Sequence, residues 1–442
     1  MRVLTNKEER PIRVLLSAYA CEPSRGSEPG IGWNWMKQIS RFADVWVITR
    51  KSNRAAIEKF LEQEPMANVA FFYFDLPRWA RFWKKGGRGL QLYYYLWQIG
   101  IGRTVRHLHR SIGFDIVHHV TFGTCWFPSP LSFLHVPFVW GPVGGGEYAP
   151  WKFWRSYSLR GKLHEIVRTM GRLRGDYDPF VRYTARRSTL ALATTAQTKG
   201  ILRAIGCKTT QILPHAALDE DEISRLQSVP ERTSGRFRIF SVGRMLHWKG
   251  LHLGLRAFAR LRQELPDSEY WIMGEGPEAG NLKKLARDLG IENQVVFVGQ
   301  VPRDQVLAKI AKCDVMLHPT LHDSSGWASV EAMACGRPVV CFDLAGPALQ
   351  VDSDNGFKVA AESPEQAICD LTSALSFLAN DPEARLRMGR AARAKVASEL
   401  NWSRKADRIR GFYEEMLATC RADLDKSEVR CPTSSTTDTN WA

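Results

Sequence analysis

The chain has 442 residues, 44% of them hydrophobic and 24% charged, too long for one ordinary core and too apolar for disorder, so two globular domains are expected. Its formal charge of +15 calls for an anionic partner: nucleic acid, anionic lipid or an anionic small molecule. Nucleic acid is the weaker option, because no metal-finger spacing, RNP-like aromatic motif or Gly-x-x-Gly clamp occurs.

The nine cysteines are odd in number and scattered, with no Cys-x-x-Cys pair. That pattern fits free thiols in a reducing compartment and argues against structural zinc. Residues 14–21 are apolar but short, and Lys7, Glu8, Glu9, Arg10 and Pro11 precede them, so they read as a first buried strand, not a secretion signal. No run reaches the roughly 18 apolar residues that span a bilayer. A cytoplasmic protein is expected, free or resting on a membrane surface.

The first strand, 13–18, empties into CEPSRGSEPGIGW. Gly26, Gly30 and Gly32 let backbone approach a ligand closely, and Glu28 stands among them, an acid that is either functional or merely solvated. Strands follow at 45–48 and 69–74. Residues 78–110 then mix large aromatics with Arg, Lys and His and contain no acid. Two readings stay open there: a surface that meets anionic headgroups through Trp79, Phe82, Trp83 and the bases beside them, or a helical hairpin whose aromatics are core. The strand 114–120 ends in His118 and His119, where a cleft residue would sit, although a lone histidine is more often a satisfied core group. The strand 136–140 runs into GPVGGGE, a second glycine-rich turn containing Gly145. Residues 151–188 are helical and strongly basic, 190–194 a strand and 198–204 a helix.

Residues 219–236, charged and containing Pro230, Ser234 and Gly235, read as an interdomain passage. A strand at 237–242 precedes GRMLHWKG, where Arg244 and Lys249 can converge on one diphosphate, Arg as a fork and Lys as a point charge. Bases at that spacing would otherwise simply be solvated. No Walker loop occurs anywhere. The turn after the strand 270–273 mimics half a dinucleotide fingerprint, but Gly280 comes one residue late, so no nicotinamide site is expected. The strand 295–298 runs into GQVP.

The densest stretch is HPTLHDSSGWASVEAMACGRPVV, 318–340. A strand ends before it, a polar loop leads to a helix starting near Gly326, Trp327 and Ala328, Gly336 and Pro338 stop that helix, and 339–342 is the next strand. Strand, loop, helix, strand is the unit of a parallel sheet, whose ligands sit outside the carboxyl ends of the strands. Asp323 in the loop and Glu331 in the helix stand in that place. A helix start suits phosphate and a carboxylate suits sugar hydroxyls, but an acid there also serves commonly as a capping partner. His318 and His322 are four apart, yet Pro319 between them argues against one helical face carrying a metal. The acid triplets at 219–221 and 352–354 lie in charged connectors and read as coincidence. Residues 381–421 are helical, and 426–442, rich in Ser and Thr, reads as a disordered tail.

The run from Glu331 through Ala332, Met333, Ala334, Cys335, Gly336 and Pro338 to Val340, with an acid eight residues before it, resembles the donor-site signature of the retaining nucleotide-sugar glycosyltransferases of glycosyltransferase family 4. Gly243 and Arg244 followed by Lys249 and Gly250 resemble that family's diphosphate motif. Pro214 to Asp219 resembles its hinge, with His215 and Ala216 where Asn and Gly are usual, and Asp323 stands where Glu is usual. The resemblance is strong over 239–357 and weaker over 13–213.

It implies the GT-B fold, two doubly wound Rossmann-like domains facing across a cleft. Residues 1–218 would form the acceptor side, with a helix at 402–421 returning to it; 219–236 would be the passage and 237–401 the donor domain. It implies transfer of a sugar from a nucleotide diphosphate sugar to a hydroxyl of a saccharide or lipid-linked saccharide. Retention at the anomeric carbon, no metal or other cofactor, and a place in exopolysaccharide or envelope glycan synthesis belong to the same expectation, as does a peripheral site on the inner face of the cell membrane. On the donor side the resemblance implies Gly30, Gly243, Arg244, Lys249 and Gly274, and main-chain groups of Gln300 and Val301 at the base. It further implies Asp323 at the transferring sugar, the amides of Gly326, Trp327 and Ala328 at the diphosphate, and Glu331 at the ribose. His119, with His118 as the alternative, would meet sugar or acceptor, and Glu28 and Gly145 would lie on the acceptor side. The rivals, in order, are a GT-B sugar-nucleotide epimerase, a non-catalytic binding protein and a nucleic-acid binder.

Overall fold

The computed structural model describes residues 10–429 except 24, 85, 87 and 88. From 430 onward the expected tail lies outside the described residues, and 426–429 close the last helix. Seven strands come first: β1 (Ile12–Ala18), β2 (Ala43–Arg50), β3 (Val69–Phe74), β4 (Ile116–Thr121), β5 (Phe138–Val143), β6 (Leu190–Ala193) and β7 (Thr210–Ile212). Six follow: β8 (Arg238–Val242), β9 (Glu269–Met273), β10 (Val295–Gly299), β11 (Val315–His318), β12 (Val339–Phe342) and β13 (Gly356–Val359). They form two parallel sheets, ordered β3-β2-β1-β4-β5-β6-β7 and β10-β9-β8-β11-β12-β13. Helices cover both faces, so the inner strands read as unbroken apolar runs; β4, β5, β11 and β12 are buried at every residue.

The winding reverses once in each sheet, where β1 lies between β2 and β4 and where β8 lies between β9 and β11. Loops leaving neighbouring strands part at such a point and open a crevice outside the carboxyl ends. The loops after β1 and β4, and those after β8 and β11, therefore define the cleft of each domain.

Three segments tie the domains together. The chain crosses at Leu218, whose amide donates to Leu400 O at 3.1 Å, and crosses back where Trp402 N donates to Leu218 O at 3.0 Å. The helix Trp402–Val429 then packs on the first domain: Trp402, Ile409 and Tyr413 are buried in one cluster with Val14, Trp35 and Ile39, and the rings of Trp402 and Trp35 meet edge to face at 5.5 Å. The third tie leaves β5, where Phe153 and Tyr157 enter the core of the second domain and Phe153 meets Phe342.

Two expectations change in detail. The passage 219–236 contains a helix, Glu220–Gln227, whose start is capped by the Asp219 carboxylate accepting from Glu222 N at 2.7 Å. Its Ile223 and Leu226 belong to the core of the second domain, because i and i+3 share one helical face. The segment 78–110 divides between its two readings: the helix Leu90–Ile112 buries Tyr93, Tyr94, Trp97, Ile101 and Val105 in the first domain, whereas Trp79 and Phe82 remain exposed.

Trp402→Ala should cost about 3–5 kcal/mol of stability, the usual range for truncating a fully buried Trp, read as a lower urea midpoint. A loss under about 1 kcal/mol, the level of an ordinary surface change, would show that the returning helix is not part of that core.

Candidate active site in the interdomain cleft

The second domain builds its half of the site from the loops after β8 and β11. Gly250 closes the first loop at φ +63°, and a Cβ there would lie 1.8 Å from Pro319 O, so only glycine lets the two loops touch. Leu321 N donates to Trp248 O at 2.8 Å and holds them together. Lys249 and Asp323, 74 residues apart, meet as an ion pair through Nζ and Oδ2. Asp323 Oδ1 accepts from the amides of Ser325 and Gly326, each at 3.1 Å, and His318 Nε2 lies 3.7 Å from Oδ2. Burial alone would raise the Asp323 carboxyl, but Lys249 and His318 outweigh it and hold it well below the ordinary carboxylate range.

The remaining donor-side residues fall around this pair. Gly243, Arg244, Lys249 and His318 line one recess. Arg244 is exposed and has no ion partner among the described residues. The helix Trp327–Ala334 starts beside Asp323, as Gly326 takes φ +60°. The amide of Gly326 is taken by Asp323, so the helix-start amides open to a ligand begin with Trp327 and Ala328, a correction to the expected trio. Glu331 is occupied as well, its Oε1 paired with Arg303 at 2.7 Å, while burial moves its carboxyl up. Gly274 N bonds Gly299 O at 2.9 Å across β9 and β10, just before Val301 and the exposed Gln300.

The first domain meets this half at close range. A Cβ on Gly144 would sit 2.9 Å from the Ser324 side chain. Beside it, Gly145 N donates to Glu147 at 2.8 Å, and Gly144 N to Gly123 O at 2.8 Å. Gly123 also adjoins Glu28 and His215: the position of a Cβ there is 3.1 Å from His215 Nε2 and 3.7 Å from Glu28 Oε1. Glu28 Oε2 and both ring nitrogens of His215 are enclosed without a hydrogen-bond partner, which marks groups suited to a ligand. Burial pushes the Glu28 carboxyl up to about 7, against the pull of the Gly123 amide. Gly30 lies in the same helix as Glu28, where a Cβ would collide with Arg25 O at 2.0 Å.

His119 and His118 are placed differently from what the resemblance implies. His119 spans Tyr94 Oη and Ser129 Oγ, both at 3.2 Å, and His118 spans Tyr413 Oη at 2.7 Å and Gly141 O. Burial pushes these rings down to about 3 and about 4, respectively, so both are neutral core groups with no ring nitrogen free. The residue at the cleft is His215, visible in the sequence only as a departure from the hinge pattern.

One further cluster bridges the domains, and no local signal announces it. Glu165 Oε1, on the helix Leu159–Tyr177 of the first domain, accepts from His247 Nε2 at 2.9 Å and from His322 Nε2 at 3.0 Å. Burial opposes a charge on Glu165, yet these two bonds hold its carboxyl below the usual range, while burial moves the His322 ring down against the pull of Glu165. His164, Glu165 and His247 also bring ligand atoms within 4.8 Å of one another, a spacing a cation could use.

Lys249→Met should lower stability by about 1–3 kcal/mol, between the ranges for exposed and buried pairs, because the two side chains are only partly buried. Adding Asp323→Leu should recover part of that loss. Because the Asp323 carboxyl is depressed, its contribution is complete above its unfolded value of 3.8 and is lost as pH falls further. Parent and single variant should therefore differ above that pH and converge in acid; unfolding curves that coincide above it, or stay equally far apart at the lowest pH, would refute the pairing.

A family model described as Glycosyl transferases group 1 matches residues 223–395. The chain is 28% identical over 247 residues to the 2-deoxystreptamine glucosyltransferase of Streptomyces kanamyceticus, covering 53% of this chain and 63% of that one. It is 30% identical over 220 residues to a D-inositol 3-phosphate glycosyltransferase of Corynebacterium kroppenstedtii, covering 48% and 47%. The chain thus spans between about half and just under two thirds of these curated relatives. In fold it is similar to the Anabaena HepE protein solved with UDP and glucose, at TM-score 0.57 and 18% identity over 91% of this chain and 100% of that one. Residues 223–395, with Arg244, Lys249, Asp323 and Glu331 inside them, match the glycosyl transferases group 1 model, and the whole chain has the two-domain GT-B fold.

Proposed function

We propose that this chain is a retaining glycosyltransferase that moves a sugar from a nucleotide diphosphate sugar to a hydroxyl of a saccharide or lipid-linked saccharide, in exopolysaccharide or envelope glycan synthesis. The observation that carries the reading is the meeting of Lys249 and Asp323 at the reversal between β8 and β11, beside unpartnered Arg244 and an open helix start. The Anabaena HepE neighbour, solved in complex with UDP and glucose, supports a donor of this class.

The chemical difficulty is negative charge on the departing diphosphate and positive charge on the sugar. Arg244, Lys249 and the amides of Trp327 and Ala328 meet the first without requiring a metal. As the diphosphate draws Lys249 to itself, Asp323 Oδ2 is released to a hydroxyl of the transferring sugar. Glu331, held by Arg303, takes the ribose, and main-chain groups at Gln300 and Val301 take the base. On the acceptor side Glu28 and His215 hold the incoming hydroxyl. Gly145 shapes the wall, and His119 contributes by holding β4 in place. The reading includes work at the inner membrane face, with Trp79 and Phe82 as the surface part of 78–110. No helix among the described residues is long and apolar enough to cross a membrane.

A nucleoside diphosphate at 100 times its dissociation constant should stabilise the parent by about 2.7 kcal/mol. A thermal-shift series with UDP, GDP, ADP and CMP should show this for one base and not in Arg244→Ala. The same variant should transfer sugar about 100-fold or more slowly, as losing one charge-stabilising donor does. Equal rates in parent and variant would sink the donor-site assignment, and sugar isomers formed without an acceptor would favour the epimerase.

With Glu28 titrating at about 7 and its ionised form holding the acceptor, transfer should rise with pH through that value. Glu28→Gln should remove that limb. The raised value also means that the folded chain binds this proton more tightly than the unfolded one. Glu28 therefore makes stability fall as pH rises from 4.5 to about 7, and urea midpoints across that range should flatten in Glu28→Gln.

A further inference from the structure

The helix Leu159–Tyr177 is amphipathic in the reverse sense. Its protein-facing side is polar or bare: Gly161 lies against the His247 ring, Gly175 against Trp126, Glu165 bonds two histidines, and Arg168 donates to Glu147 O at 2.6 Å. Its outward side carries Leu159, Leu163, Ile166, Val167, Met170, Leu173 and Tyr177, exposed by 84, 62, 47, 61, 65, 47 and 75%. Their spacing of three and four residues is that of one continuous stripe. A stripe of this kind normally packs on a core, and here the core side is occupied by the polar stripe.

The charges around the stripe indicate what covers it. Exposed Arg160 and Arg174 flank it on the helix, and Trp151, Lys152 and Arg155 stand exposed just before it. From 151 to 177 the acids are Glu165, which is buried on the other side, and Asp176, half-buried in the last turn of the helix. A cavity of about 560 Å³ beside the helix is lined by Leu92, Tyr95, Trp126 and Arg174, and Trp79 and Phe82, earlier in the segment that supplies Leu92 and Tyr95, are exposed by 78 and 77%. A second copy of the chain would set bases against bases on such a face. A layer of anionic headgroups over an acyl boundary matches both the bases and the stripe.

We propose that this inverted helix is an interfacial anchor, lying flat on an anionic lipid bilayer with its apolar stripe in the headgroup boundary and Trp79 and Phe82 as a second contact. Its 19 residues give about 28 Å of contact. The anchor deepens the membrane-face part of the proposed function and rests on it, and its test needs no nucleotide sugar.

The full chain is centrifuged with vesicles of phosphatidylcholine alone and of phosphatidylcholine mixed with phosphatidylglycerol. Sedimentation with the mixed vesicles at low salt, weakened by added salt, is expected. Leu163→Glu with Val167→Glu should lower the partition by about tenfold or more. Both sites are exposed, so the nucleotide-induced thermal shift should be unchanged in this variant, and Phe377→Glu on the second domain should bind vesicles like the parent. The proposal is overturned if the parent stays in the supernatant with mixed vesicles, or if the double variant sediments as the parent does. It is equally overturned if the stripe proves to hold a dimer in solution, dissolved by the two substitutions, while vesicles bind neither form. Loss of vesicle binding with the donor shift intact separates failure of the anchor from failure of the donor site.

Discussion

The carboxylate of Glu165 is the constraint on which the arrangement of the molecule turns. It belongs to the first domain, and it accepts hydrogen bonds from His247 and His322, which belong to the two loops that carry Lys249 and Asp323. A buried carboxylate is costly unless its oxygens are satisfied. Satisfying this one requires both loops and the helix Leu159–Tyr177 to be in place together. This polar contact thus adds to the three segments that tie the domains and fixes the donor loops against the first domain, reinforced where Trp248 lies between the rings of His164 and His322.

The same contact determines what the helix shows to the outside. With Glu165, Arg168 and the bare Gly161 and Gly175 spent on the protein, the leucines, valine and methionine of the helix have no inward face left. A helix docked by its apolar side would have left Glu165 in solvent and the two histidines without their acceptor. Interdomain closure and an exposed apolar stripe are two results of one choice of helix face.

Within the cleft, the resting electrostatics are balanced internally. Lys249 neutralises Asp323, Arg303 neutralises Glu331, and the first amides of the loop are capped by Asp323. Arg244 alone among the expected charged donor groups stands without a partner. A strongly charged ligand entering such a site exchanges partners with it, which avoids leaving any buried charge unpaired at any stage. On the opposite wall the balance is incomplete: Glu28 and His215 keep buried atoms without partners.

Local pattern was enough to read the strands, the glycine turns and the pairing of a base-bearing loop with an acid-bearing loop. Unbroken apolar runs such as VVCF, and the run from Glu331 to Val340, carry their meaning within a few residues of one another. Strand order at a reversal brings the ends of β8 and β11 together whatever the rest of the chain does. Three things depended on contacts between distant residues. The side of the 159–177 helix that faces inward was decided by an acceptor for two histidines more than 80 residues away, and periodicity alone shows a stripe without saying what lies on either side of it. The state of His118 and His119 was decided by Tyr94, Ser129 and Tyr413, which saturate their nitrogens. The split of 78–110 into core helix and exposed aromatics was decided by which residues β3 and β4 left room for. Sequence alone determined the two-domain parallel α/β class, because that rests on local periodicity, and it named donor-side candidates through short motifs that resemble a family's. Partners and exposure were decided only by the tertiary structure, because hydrogen bonds and burial are settled between residues that the chain order keeps far apart.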